Sequence, residues 1–279
     1  MPQTLLELGG AGMPLHIAVA NGFAPETYLP MLQPLGGRFR LFSLPPRPLW
    51  DPPPPPESLH TWADLADDLL AGLRAHALAD VVAIGHSFGA VASLLAAIQE
   101  PQRFRALILL DPTLLSSVFT VGSVVLRSIG QQTRNPLVKG ALNRRANFAT
   151  LDEAFSYWRG KCLFTDWSDE ALRRYTESAL HRTPGGGYTL RWSPAWEARI
   201  FGTPMHISAR ALARLRETRL PVLTVRGGTS TTLPPAKAAR LRAALPAMSY
   251  AEVDGHGHLF PQSAPDAAAA VIGEWLSRP

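Results

Sequence analysis

The sequence predicts an α/β fold: a mostly parallel sheet with helices on both faces, interrupted by a helical insertion. Three observations carry this. Short apolar runs alternate with helix-forming stretches as far as Asp111, the strand–helix–strand order that sets parallel strands side by side under crossover helices. A glycine-flanked pentapeptide, Gly85-His86-Ser87-Phe88-Gly89, stands between one such run and one such stretch. The alternation then stops at Leu114 and resumes at Pro221.

Thr4 to Leu8 and Leu15 to Ala20 read as two early strands joined by a tight turn at Gly9-Gly10-Ala11-Gly12. A helix beginning near Glu26 or Thr27 would carry Tyr28, Met31, Leu32 and Leu35 on one face. The next strand runs from Phe39 to Leu44, and the proline-rich Pro45 to Pro56 after it is expected to be a rigid surface loop. Thr61 is placed to cap a helix whose inward stripe is Trp62, Leu65, Leu69 and Leu73, with Asp64, Asp67 and Asp68 near its positive end. Asp80 to Ile84 is a buried strand, Ala90 to Ile98 a helix closed by Pro101, and Ala106 to Leu110 a further buried strand ending on Asp111-Pro112. Residues 114–215, with four tryptophans and a turn at Pro184-Gly185-Gly186-Gly187, read as a helical cap. They divide the core into a first part, 1–113, and a second part, 216–279. The second part offers a strand at Pro221 to Val225, a helix from Pro235 to Leu245, a strand from Met248 to Val253 and a closing helix from Ala264 to Leu276.

Composition excludes several functions. A single cysteine, Cys162, rules out an intramolecular disulfide and a thiolate metal cluster. No charged leader precedes an apolar core at the N-terminus and no run is long enough to span a bilayer, so a cytoplasmic protein is expected. The net charge of +5 is concentrated in the insertion, where 14 Arg or Lys face 7 Asp or Glu. A basic patch can mark nucleic acid or anionic lipid; those cations are scattered singly and no nucleic-acid motif accompanies them, so they read as a solvated basic surface and no nucleic-acid partner is expected.

A strand, a sharp turn and a helix put Ser87 at the tip of a strained corner, where Gly85 and Gly89 avoid the clash of side chains with the returning backbone. A serine hydroxyl becomes nucleophilic when a base takes its proton, and histidine suits that task near neutrality. Of the eight histidines, His258 lies in Gly255-His256-Gly257-His258, between the last strand and the last helix, at the same sheet edge as Ser87. His256 is its competitor. His86 should point away from the hydroxyl, and His16, inside a strand, reads as a core residue.

Together these features resemble the α/β-hydrolase superfamily over nearly the whole chain. The resemblance rests on the loop Asn21-Gly22-Phe23-Ala24 after an early strand, the Gly85–Gly89 elbow, the insertion after Asp111, and the Gly-His loop before the final helix. It implies an α/β-hydrolase fold and is nearest to capped serine hydrolases with the shape of epoxide hydrolases. Members with an aspartate nucleophile open epoxides or carbon–halogen bonds; Ser87 argues against both. Two departures stand out. Where the family usually carries its acid, after the strand at 221–225, this chain has Ser230 and no nearby carboxylate. Some members carry the acid one strand earlier, which implies Asp111, with a turn-capping aspartate as the alternative reading and Asp254 as a weaker candidate. Ser230 itself is then expected to be dispensable. The second departure is Asn21, in place of the usual histidine before Gly22. An oxyanion hole needs backbone N–H groups rather than that side chain, and Phe23 and Phe88 are the matching positions.

The resemblance implies hydrolysis of a carboxylic ester of a small apolar substrate through an acyl-enzyme: Ser87 attacks, His258 is base and then acid, and Asp111 orients His258. No metal or organic cofactor is implied. Leu114, Leu115, Val118, Phe119, Val121 and Val124 are candidates for an acyl pocket, with ordinary packing as the alternative. Carbon–carbon, lactone or thioester hydrolysis remains open, as does a ligand-binding homologue without turnover. Aminopeptidase action is disfavoured by the basic cap.

Overall fold

The computed structural model describes residues 4–278. In chain order the strands are β1 (Leu6–Gly9), β2 (Met13–Ala18), β3 (Phe39–Ser43), β4 (Val81–His86), β5 (Phe104–Leu110), β6 (Asn147–Phe148), β7 (Leu180–Arg182), β8 (Tyr188–Leu190), β9 (Val222–Gly227) and β10 (Ser249–Val253). Seven of them form the central sheet, in the order β1-β3-β2-β4-β5-β9-β10. Its neighbours are parallel except β1, which runs antiparallel to β3. Every residue of β4 and β9 is buried, as befits strands covered on both faces.

The first two strands, joined at the glycine-rich turn as expected, do not pair with each other. Both edges of β2 are taken by parallel partners, β3 on one side and β4 on the other. The turn instead lies against the chain that enters β3, with the Ala11 and Met13 amides donating to the Gly36 and Arg38 carbonyls. The helix expected after Glu26 breaks into three short pieces between Pro25 and Leu35, because Pro30 and Pro34 interrupt it. Its apolar face is nonetheless buried: Tyr28, Met31 and Leu32 have no exposed surface. Thr61 accepts the Ala63 amide at the start of helix Ala63–Ala75, and Asp64 accepts the His60 and Thr61 amides in return. Asp67 and Asp68 turn away, to Gln99 and Arg47.

The insertion is not wholly helical. Besides helices Ser117–Ser128, Pro136–Leu142, Leu151–Arg159, Asp169–Ala179 and Pro194–Gly202 it holds a small antiparallel sheet, ordered β6-β8-β7. Strands of two or three residues carry no readable periodicity, and the Gly185–Gly187 turn is the loop of the β7–β8 hairpin. A following helix, Ala209–Glu217, packs back on helices Phe88–Gln99 and Pro235–Ala244 of the core.

The proline-rich segment does more than skirt the surface. Prolines have no N–H, and an extended proline run leaves its carbonyls unpaired. Here the insertion meets one such carbonyl, Trp196 Nε1 donating to Pro54 O at 3.1 Å, and just beyond the run Arg199 donates to Leu59 O at 2.8 Å and Glu57 O at 3.1 Å. Residues 54–59 are thus an acceptor rail on which helix Pro194–Gly202 is seated.

The central registers prepare the site. His86 stands opposite Leu110, and Leu110 opposite Val225. Ser87, Asp111 and the chain leaving β9 therefore emerge side by side at the carboxyl edge of the sheet, where ligands of open parallel sheets are bound.

Candidate active site

Ser87 is held at φ 60°, ψ −121°, a region that a non-glycine residue occupies only when its surroundings impose it. Backbone bonds on both sides do so: the Ser87 amide donates to Leu110 O at 3.0 Å, and the Thr113 amide donates to Ser87 O at 3.3 Å. The flanking glycines allow the helix to start directly against the sheet. A Cβ on Gly85 would lie 2.5 Å from Ala90 Cα, and one on Gly89 would lie 2.5 Å from the Ala18 and Val19 carbonyl oxygens.

Ser87, His258 and Asp111 are brought into one row. His258 Nε2 lies 3.0 Å from Ser87 Oγ, and its Nδ1 lies 2.6 Å from Asp111 Oδ2. A carboxylate can only accept, so Nδ1 carries the proton and Nε2 is left to accept from the serine hydroxyl. Asp111 has no exposed surface. Besides His258 it accepts the Gly227 amide at 3.1 Å and the Ser230 hydroxyl at 2.6 Å. The Ser230 oxygen itself accepts the Thr232 and Leu233 amides at 3.1 and 3.5 Å. Its proton is thereby directed at Asp111, so Ser230, expected to be dispensable, stands as one of three donors to a buried carboxylate.

The other candidates are elsewhere. His256 Nδ1 is hydrogen-bonded to Ser263 Oγ at 2.9 Å. Asp254 is exposed in the turn after β10. His16 is buried against Phe42, and burial lowers its pKa to about 3. His86 points away from Ser87 into a buried chain of hydrogen bonds. The Ala20 amide donates to Tyr28 Oη at 2.9 Å, Tyr28 donates to His86 Nδ1 at 2.7 Å, and His86 Nε2 donates to the His258 carbonyl at 2.9 Å. Burial first, then the neighbouring charge of His258, keeps the His86 pKa well below the usual imidazole range, against the raising effect of the His258 carbonyl. Burial pushes the Tyr28 phenol up. Both rings stay neutral and tie the Asn21-Gly22 turn to the loop that carries His258.

Of the two expected oxyanion amides, one is open. Phe88 is the first residue of its helix, where N–H groups have no carbonyl within the helix to bond. The Phe23 amide instead donates to Ala20 O at 3.1 Å, closing the turn in which Gly22 takes φ 82°. Asn21, in the place of a histidine, binds the insertion: its Nδ2 donates to Glu197 O at 3.0 Å.

A family model described as the alpha/beta hydrolase family matches residues 9–271. The chain belongs to that family. Its fold is shared with solved α/β-hydrolase structures at low identity. The crystal structure of E-2-(acetamidomethylene)succinate hydrolase matches with a TM-score of 0.77 at 21% identity, covering 98% of this chain and 94% of that one. A marine microorganism esterase gives 0.71 at 17%, covering 97% and 98%. A thermophilic esterase from Thermogutta terrifontis gives 0.69 at 18%, covering 98% and 92%. No curated protein sequence matches the chain.

In this alpha/beta hydrolase the row opens into a cavity of about 810 Å³ between core and insertion, lined by Ser87, His258, Phe23, Phe88 and Thr113 among others. Aromatic contacts fasten its walls: Phe23 lies 5.3 Å from Tyr175, and Phe88 lies 6.2 Å from Trp192, centroid to centroid. Arg144 is ion-paired with Glu197 at 2.6 Å and hydrogen-bonded to Tyr175. A Cβ on Gly22 would come within 3.0 Å of the Arg144 guanidinium. Of the six apolar residues expected around an acyl pocket, Leu115 and Phe119 line the cavity, Leu114 packs against the hydrophobic core, and Val118, Val121 and Val124 are exposed. Thr113, which sequence reasoning passed over, places its Oγ1 3.0 Å from Ser87 Oγ. Among the described residues no group of three His, Cys, Asp or Glu side chains is placed to hold a metal.

Proposed function

We propose that this chain is a serine hydrolase that cleaves a carboxylic ester of a small apolar substrate through an acyl-enzyme. The observation that carries the reading is the unbroken row from Ser87 Oγ through His258 to a buried Asp111, with spacings of 3.0 and 2.6 Å, opening into a mostly apolar cavity. In the forward step Ser87 Oγ attacks the ester carbonyl carbon while its proton passes to His258 Nε2. Asp111, ionised and hydrogen-bonded to Nδ1–H, stabilises the imidazolium that forms. The Phe88 N–H stabilises the developing oxyanion, and the Phe23 N–H joins it only by giving up its bond to Ala20 O. His258 then gives its proton to the leaving alkoxide. Water, deprotonated by the same nitrogen, attacks the acyl-serine and releases the acid, and the proton returns to Ser87.

The principal alternative is a ligand-binding homologue without turnover, in which the same three donors would serve only to satisfy a buried carboxylate. The test is a set of p-nitrophenyl esters of increasing acyl length, with fluorophosphonate labelling and Ser87→Ala as the blank. Rapid labelling and turnover, both lost in Ser87→Ala, are expected; a wild-type protein that is neither labelled nor active overturns the reading.

A further inference from the structure

Nine large apolar side chains are markedly exposed among the described residues, and eight of them fall between Val118 and Leu142. Isolated exposed apolar residues are ordinary, whereas a concentration on one segment marks an interaction surface. Helix Ser117–Ser128 is the extreme case, with Ser123 its one buried residue and Val118 and Val121 exposed by 81% and 61%. The same stretch is wholly basic in its charges: residues 112–151 hold five Arg or Lys and no Asp or Glu. Arg144 and Arg145 are paired with Glu197 and Glu153. Arg127, Arg134 and Lys139 have no carboxylate partner among the described residues. The surface is also continuous with the cavity, because Phe119, Leu137 and Leu163 are both exposed and part of its lining.

We propose that this face docks on an anionic lipid surface, and that the cavity takes its apolar substrate from that surface. Three occupants compete for such a face, and two fit poorly. A second copy would meet it through a two-fold contact in which each patch faces itself, setting cations against cations with no acid from 112–151 to answer them. A protein partner would stopper the cavity at Phe119 and Leu137. A lipid surface gives the valines an apolar phase and the cations anionic headgroups, and it leaves the cavity open to the acyl region. Among the described residues no helix is long and apolar enough to cross a membrane, so the contact is peripheral. The docking stands apart from the chemistry; only the source of the substrate rests on the ester-hydrolase reading.

The test is co-sedimentation of the full chain with vesicles of phosphatidylglycerol and phosphatidylcholine in equal parts, against phosphatidylcholine alone. Wild type and Ser87→Ala should bind the anionic vesicles alike, so that failure of catalysis and failure of docking are read separately. Val121→Asp with Val125→Asp should weaken binding at least about tenfold, as like-for-like loss of apolar contact and added repulsion predict. Arg134→Glu with Lys139→Glu should do the same from the charge side, with folding of both pairs checked by circular dichroism. Absence of binding to anionic vesicles, or unchanged binding by both double variants, overturns the proposal. So does a lipid-free dimer that Val121→Asp with Val125→Asp dissociates, which would assign the face to a second copy.

Discussion

Asp111 is a buried carboxylate served by three donors, from Gly227, Ser230 and His258, and the residues around it differ in what their loss would remove. Asp111→Asn keeps the shape but favours the wrong imidazole tautomer, and kcat should fall by about 10⁴, the loss seen for the equivalent change in a serine protease. Ser230→Ala leaves the charge in place with one donor fewer. A hydrogen bond to a charged group contributes about 1.5–3 kcal/mol, so kcat should fall roughly tenfold or more with KM little changed. Steady-state kinetics on a p-nitrophenyl ester separate the two, and Ser230→Thr, which keeps the hydroxyl, should restore most of the rate. Ser87 and His258 were legible in the sequence because a glycine elbow and a Gly-His loop are local patterns. Asp111 was legible only through the missing carboxylate at Ser230. The Ser230 donor was not legible, since a hydroxyl carries no charge and its direction depends on the Thr232 and Leu233 amides. Nor was the closure of the Phe23 amide on Ala20 O, which depends on how one turn folds.

At the scale of elements, the elbow and the acceptor rail are separately testable. Gly89→Ala would force a methyl group to within 2.5 Å of two backbone oxygens. Neither oxygen belongs to a flexible side chain, so helix Phe88–Gln99 must shift away from β2. Ester turnover should be lost and the melting temperature lowered by several degrees, in keeping with the roughly 1–3 kcal/mol typical of overpacking. Arg199→Ala removes two donors from the rail and acts through the seat of the insertion rather than the row. KM for long-acyl esters should rise several-fold while fluorophosphonate labelling of Ser87 persists. The parallel strands were readable from their apolar runs. The partner of β1 was not, because pairing across a sheet is a non-local choice. The strands β6 to β8 were too short to leave a pattern, and the proline run revealed its stiffness but not which donors would meet its carbonyls.

The molecule as a whole should be sensitive to acid through two imidazoles. His16 and His86 are held neutral in the fold, chiefly by burial. In the unfolded chain both take protons below about pH 6.5, so the unfolded state binds more protons than the native one there. Stability is therefore full above pH 6.5 and declines as the pH falls toward the lowered native values, by about 1.4 kcal/mol per pH unit for each histidine. Thermal melts at pH 7.5 and 5 should show the fall, and His16→Phe, facing Phe42 in an apolar setting, should lessen it; identical slopes in both proteins would exclude His16 as a source. The order of the strands carries one more consequence. The proposed nucleophile follows β4 and the proposed acid follows β5, but the proposed base and the Ser230 donor come only after β9, beyond the whole insertion. On the ribosome, a chain grown to residue 200 holds a serine with nothing to take its proton. On the proposed reading its partners arrive only with the residues beyond β9, after most of the cavity's walls have been made.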